Sequence, residues 1–390
     1  MSADPIHAGE AITFEAMRLE ELIQALISRG YEPIGPTVRD GAIVYDRLSS
    51  MQDLPAGWTD EQSAGRYQLK RRRDDALFGY AAGPHTWKSF LFPPHQHLWR
   101  AERNGSALHI LNNDRRPEPR YAFLGVRACD LSAIALHDKI FLEGQHVDPG
   151  YKSRRENLFI LAVNCSQAAG NCFCVSTNTG PKAISGFDIA VTEIAQEGKR
   201  RLFAEAGTRL GAEMLLQVPH MPAGEADRQQ AERVVVHTAR HMGRKLDTRA
   251  LRELLYRNYE HPQWDSVADR CLSCGNCTLV CPTCFCSTVE DTTDLSGNQA
   301  ERMRRWDSCF TVDFSYIHGG SVRPTTRSRY RQWMVHKLAT WIDQFGVLGC
   351  VGCGRCITWC PVGIDITAEA AAIRESDSVK APAEQGRESE

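Results

Sequence analysis

The chain has 390 residues, enough for two or three domains. Hydrophobic residues make up 42%, so a sizeable core can form, and a formal net charge of −2 argues against a dedicated nucleic-acid binder. No stretch approaches the ~18 apolar residues of a membrane span, and the polar start over residues 1–10 lacks the apolar run of a secretory signal.

Residues 13–30 predict an amphipathic helix closed by Gly30. Segments 42–48, 66–72, 77–83 and 89–94 read as short strands broken by turns, with a sharply polar stretch at 71–75. Residues 120–126 predict a strand, Asp130 is placed to cap a helix over 131–142, and 157–163 predict a strand running into Asn164-Cys165. Segments 187–193 and 201–206 read as further strands. The strand–helix–strand alternation over 120–165 argues for a mixed α/β domain with parallel pairing, taken as residues 1–222. From about 223 the pattern turns helical, with helices expected at 226–245, 248–258, 332–343 and 368–373. Residues 376–390 form a polar tail expected to be disordered.

The C-terminal third carries one cysteine pattern twice. The first copy is Cys271, Cys274, Cys277 and Cys281, followed by Pro282. The second is Cys350, Cys353, Cys356 and Cys360, followed by Pro361. This is the ligand run of bacterial-type ferredoxins, and two runs imply two [4Fe–4S] clusters. Three cysteines at i, i+3 and i+6 wrap one side of a cube, and Gly275, Gly352 and Gly354 let the backbone approach. The fourth cysteine of each run ligates the other cluster. The expected sets are therefore Cys271, Cys274, Cys277 with Cys360, and Cys350, Cys353, Cys356 with Cys281. The fold class read for residues 223–375 is accordingly a mainly α-helical, two-cluster ferredoxin-like domain, although an unusually long insert, 282–349, separates the runs.

Competing readings explain the pattern less well. Disulfides need an oxidising compartment, and fifteen cysteines is an odd number. Structural zinc uses two separated cysteine pairs, not a four-cysteine run ending in Cys-Pro.

Four further cysteines lie in the α/β part: Cys129, Cys165, Cys172 and Cys174. Cys129 and Cys165 each end a predicted strand. In neighbouring strands they meet at the carboxyl edge of the sheet, where open α/β folds gather ligands. The Cys172–Cys174 loop can close over the same place, and helix N-terminal N–H groups near Cys129 favour an anionic group there. A third [4Fe–4S] cluster on these four is expected; the competing reading is ordinary buried free cysteines. Cys284, Cys286 and Cys309 remain. Packing under the cluster and replacement of Cys281 as a ligand both stay open for Cys284 and Cys286, and the structural reading is preferred.

Several stretches together resemble a known family: residues 125–134 (GVRACDLSAI), 164–165 (NC), 171–174 (NCFC), 271–286, 304–310 (RRWDSCF) and 350–366, with a looser likeness at 91–100. They are similar to the beta subunit of cytoplasmic multimeric [NiFe] hydrogenases of the sulfhydrogenase type, and to the A subunit of anaerobic sulfite reductase. The resemblance implies a non-catalytic subunit of an oxidoreductase complex. Its clusters would relay electrons between a flavin-containing NAD(P)H-binding subunit and the [NiFe] small and large subunits, or a sulfite reductase catalytic subunit. The absence of a Gly-x-Gly-x-x-Gly fingerprint suits that division of labour. A free-standing ferredoxin-like carrier and a regulatory iron–sulfur sensor are the readings from other classes; the sensor would bind DNA, and no helix-turn-helix signal is present. A cytoplasmic location is expected.

Arginine is dense between the runs, at Arg302, Arg304, Arg305, Arg323, Arg327, Arg329 and Arg331. Docking of an acidic partner and a solvated surface explain that density equally well. Trp306 and Trp359, close in sequence to cysteines, are expected to shield clusters from water. His318 reads as a loop residue.

Overall fold

The computed structural model describes residues 6–81, 83–105, 107–111, 118–196 and 199–384. Its centre is an eight-stranded mixed sheet. The order is Met221–Pro222, Ala11–Glu15, Lys199–Ala206, Ile189–Gln196, Phe159–Val163, Tyr121–Arg127, Glu32–Arg39, Ala42–Arg47. The four strands from Ile189–Gln196 to Glu32–Arg39 run parallel, and the flanking pairs are antiparallel.

The central strands read as continuous apolar runs because both faces are covered. Leu124, Leu161, Val163 and Val191 face a core with Leu22, Ile23 and Leu26 of the Leu19–Ser28 helix. Their alternates Phe123, Val126, Ile160 and Ala190 face the other way, against Leu131, Ile134 and Phe141 of the Ala128–Phe141 helix. The period-2 side-chain alternation of a strand thus sorts neighbouring residues into two cores.

Several sequence expectations change. The first helix starts at Leu19, not 13: Ala11–Glu15 pairs as a strand with Lys199–Ala206. The segment near 89–94 holds a short helix, Lys88–Leu91, and 77–81 is buried irregular chain. The expected helix over 332–343 begins earlier, at Thr326–Val335, continues as a π turn at His336–Thr340 and ends in Trp341–Phe345. The terminal helix, Ile366–Glu384, takes in much of the stretch expected to be disordered, and 385–390 lie outside the described residues.

The C-terminal part is not helical throughout. Its insert forms the hairpin Ser287–Thr293 and Gln299–Trp306, and Gln299–Trp306 pairs with His95–Asn104 from the N-terminal part. With Ala107–Leu111 these make a four-stranded antiparallel sheet shared by both ends of the chain. Periodicity missed it because strongly polar strands such as 299–306 carry no clean apolar alternation. Around the cysteine runs, Leu254, Leu255, Trp264, Trp333, Met334, Leu338 and Ile373 build a separate helical core.

Candidate metal centres

Both runs adopt the same backbone shape. The residues flanking the middle cysteine take left-handed conformations: Ser273 (φ 51°) and Gly275 (φ 72°) in the first, Gly352 (φ 64°) and Gly354 (φ 75°) in the second. That turn lets amide N–H groups point back at sulfur. Ser273 N–H donates to Cys271 Sγ at 3.4 Å, and Ile364 N–H donates to Cys360 Sγ at 3.3 Å. A non-glycine residue in the left-handed region is uncommon, so Ser273 marks a fold holding a loop in a costly shape.

The thiols group across the runs. The Cys277 thiol is pushed well up, by burial first and then by the neighbouring Cys271, Cys360 and Cys274. Cys356 is pushed well up by burial and then by Cys350, Cys353 and Cys281. Cys350 rises to about 12, mainly through burial, with Cys353 and Cys281 adding to it. The fourth cysteine of each run therefore lies near the first three of the other. Cys271, Cys274, Cys277 and Cys360, with Cys356 of the second run, border a cavity of about 30 Å³. Tyr330 Oη and Trp333 Nε1 belong to residues lining it, and both atoms are buried without a hydrogen-bond partner. Unpartnered buried donors are rare and call for an acceptor. A sulfide-rich anion is such an acceptor, so the residues fit a [4Fe–4S] cluster. Among the described residues, no three His, Cys, Asp or Glu side chains close around a point as one ion would need.

The second cysteine set also converges. Arg127 and Val163 are paired in the parallel sheet, and Cys129 and Cys165 each lie two residues beyond. Burial raises the thiols of Cys129, Cys165, Cys172 and Cys174, Cys172 to about 12. Cys174 feels Cys165 and Cys172 most, and Cys129 feels Cys353 and Cys174. The Cys172–Cys174 loop is clamped onto the second run: Phe173 N–H donates to Gly352 O at 2.8 Å, and Thr179 Oγ1 donates to Val351 O at 2.7 Å. A Cβ at Gly352 would lie 2.6 Å from Cys174 N, and one at Gly354 would lie 2.3 Å from Asn171 O. The left-handed turn and the close approach together require glycine at both positions.

Cys284, Cys286 and Cys309 are not scattered. Cys284 shares a hydrogen bond with Cys281, and Cys286 shares one with Cys309. The Cys286 thiol falls to about 7, first through Cys309, while Cys309 is driven up by that bond and by burial. Two buried lysines, Lys88 and Lys337, adjoin this group.

Sequence reasoning missed the partner of Asp130. It is no cap: its helix starts at Ala128, with Arg127 as N-cap and no side-chain capping bond. Its carboxylate instead takes both guanidinium nitrogens of Arg355, Nη1 to Oδ1 at 2.9 Å and Nη2 to Oδ2 at 3.1 Å. Asp130 follows Cys129 and Arg355 precedes Cys356, so one buried fork ties two cysteine sets together. The RAC-D context gave a hint of function but none of a partner 225 residues away.

The arginines between the runs are largely engaged within the chain. Arg302 pairs with Asp291, Arg304 with Asp148, Arg305 with Glu290, and Arg327 and Arg331 with Glu260. Arg329 donates to Pro324 O at 2.8 Å, and Arg323 bonds Ser315. Trp306 stacks on Phe92 and carries the Lys88 ammonium 3.8 Å above its ring, and Trp359 stacks on Tyr67. His318 is an exposed turn residue.

Residues 270–364 match the model of a 4Fe-4S dicluster domain. Over 316 residues the chain is 31% identical to the sulfhydrogenase 2 subunit beta of Pyrococcus furiosus, an alignment covering 80% of this chain and 90% of that protein. No helix among the described residues is long and apolar enough to cross a membrane. Paired ferredoxin runs, a third cysteine set at the sheet edge and this extended identity lead to one assignment: the chain belongs to the family of sulfhydrogenase beta subunits, iron–sulfur proteins with a 4Fe-4S dicluster domain.

Proposed function

We propose that the chain is the electron-transfer subunit of a cytoplasmic multisubunit hydrogenase. It relays electrons between a flavin-containing NAD(P)H-binding subunit and the [NiFe] small and large subunits. Three sites serve: Cys271, Cys274, Cys277 and Cys360; Cys350, Cys353, Cys356 and Cys281; and Cys129, Cys165, Cys172 and Cys174. A [4Fe–4S] cluster, when bound, takes up and gives back one electron at a time.

The observation that carries this reading is the order of the thiols. Cys129, Cys172 and Cys174 each neighbour Cys353, and Cys172 Sγ lies 4.0 Å from Cys353 O. Cys356 neighbours Cys277 on the other side. That order supports a relay in which the Cys350 set stands between the other two. The outer end is near the surface: Cys274 is exposed, and Leu272 beside it is 63% exposed. An exposed apolar rim around a terminal site suits a docking subunit. Burial keeps water from the middle site, and N–H donors reach sulfur at Cys271 and Cys360 of the outer one; both effects set potential.

Anaerobic purification with iron and sulfide counting tests the assignment. About 12 iron atoms per chain are expected for three cubes. About 8 would remove the Cys129 site, and tetrahedral zinc or disulfides at the twin runs would overturn the whole reading.

A further inference from the structure

Lys337 is 4% exposed and Lys88 5%. Taking an ammonium out of water is costly unless an anion answers it. Neither has a carboxylate partner among the described residues. Among the described residues, Lys337 Nζ donates to Thr283 Oγ1 at 2.9 Å and lies 3.5 Å from Gly349 O. Lys88 Nζ donates to Cys284 O at 3.0 Å and sits over the Trp306 ring. The groups able to balance Lys337 are sulfurs: Thr283 Oγ1, which it bonds, lies 3.2 Å from Cys281 Sγ, Gly349, whose carbonyl it approaches, precedes Cys350, and Cys281, Cys284 and Cys350 act on it most strongly. For Lys88 they are Cys284, Cys281 and Cys286.

Two of these thiols, Cys281 and Cys350, belong to the middle site. Lys337 reaches them from the π turn His336–Thr340, an irregularity frequent at functional sites. A cluster with four thiolates is anionic, and reduction adds one more negative charge. A fixed positive charge in a poorly solvated place favours the reduced form. The two flanking cysteine sets have buried arginines instead, Arg127 beside Cys165 and Arg329 acting on Cys271.

We propose that Lys337 is a positioning residue that raises the reduction potential of the centre held by Cys281, Cys350, Cys353 and Cys356, with Lys88 adding a weaker charge from the far side of Cys284. This rests on the three-centre reading above. The middle of the line then holds an electron more readily than it would without the ammonium groups, and its potential is set by this chain rather than by a partner subunit.

The test is a redox titration of the full chain, purified anaerobically and followed by paramagnetic resonance. The middle centre is assigned by the signal lost in Cys350→Ser. In Lys337→Met its reduction equilibrium constant is expected to fall at least tenfold, which is 59 mV for one electron, while the other midpoints stay in place. Lys337→Arg, which keeps the charge, should return the midpoint toward the native one. Full iron with an unmoved midpoint in Lys337→Met overturns the proposal, as does a Lys337→Arg midpoint as low as that of Lys337→Met. Should Lys337→Met not fold, Lys337→Gln and Lys88→Met decide, and unmoved midpoints in both overturn it. Iron missing from the native chain is seen before any variant is made and defeats the cluster reading instead.

Discussion

Replacing Arg355 by Met should be among the most damaging single changes in this chain. The Arg355 and Asp130 side chains are 0% and 1% exposed, and they meet as a two-pronged fork. With the guanidinium gone, the carboxylate keeps, among the described residues, only the Tyr45 hydroxyl at 3.4 Å as a side-chain partner. An uncompensated buried charge of this kind costs about 3–5 kcal/mol. A folded protein has only ~5–15 kcal/mol to lose. With a urea slope of ~2–3 kcal/mol per molar, the unfolding midpoint should drop by about 1–2 M, read by far-UV circular dichroism. The double variant Asp130→Leu with Arg355→Met removes both charges and should recover most of the loss, since an apolar pair can replace a buried ion pair at little cost. A single variant within about 0.5 kcal/mol of the native chain, or a double variant no better than the single, would refute the reasoning.

Cys165→Ser should lower iron from about 12 to about 8 atoms per chain while the signals of the twin runs persist, as iron counting will show. Gly352→Ala should reduce occupancy of the Cys350 and Cys129 sites together, because the new Cβ meets Cys174 N at 2.6 Å in a left-handed turn; iron analysis showing loss at one site only would count against it. Burial, then Lys337, lower His336 from its usual range to about 4. The fold therefore holds this ring neutral while the unfolded chain protonates below about 6.5. Its contribution is complete above about pH 6.5, declines as pH falls toward 4, and amounts to about 2 kcal/mol lost by pH 5. Urea midpoints at pH 7 and pH 5 should differ less in His336→Gln than in the native chain by that amount.

The cysteine pattern was legible because ligand spacing is local: i, i+3 and i+6 fix three corners without knowledge of the rest of the chain. The Cys129 and Cys165 pairing was legible too, since both follow apolar strands whose parallel neighbours end at one edge. What escaped were relations between distant segments. Nothing near Asp130 points to Arg355, and a helix start beside an aspartate reads as a cap. The Ser287–Thr293 and Gln299–Trp306 hairpin is a polar ladder whose pairing partner lies at His95–Asn104. Lys88 and Lys337 look like ordinary surface lysines in sequence, and only burial beside sulfur sets them apart.

The insert between the runs is better understood as a brace than as an interruption. Two cysteine runs at a common loop geometry need only short connections to exchange their fourth ligands. This insert instead adds two strands to the sheet containing His95–Asn104, and it delivers Cys309 to Cys286 and Lys337 to the flank of Cys281. The second run is pinned from the opposite side by Asn171, Phe173 and Thr179, and from beneath by Asp130. The second run is thus held by distant segments of the chain, while Cys274 in the first run is exposed. In the proposed relay, rigidity at the second run and access at the first would keep a fixed potential apart from a surface that a partner would touch.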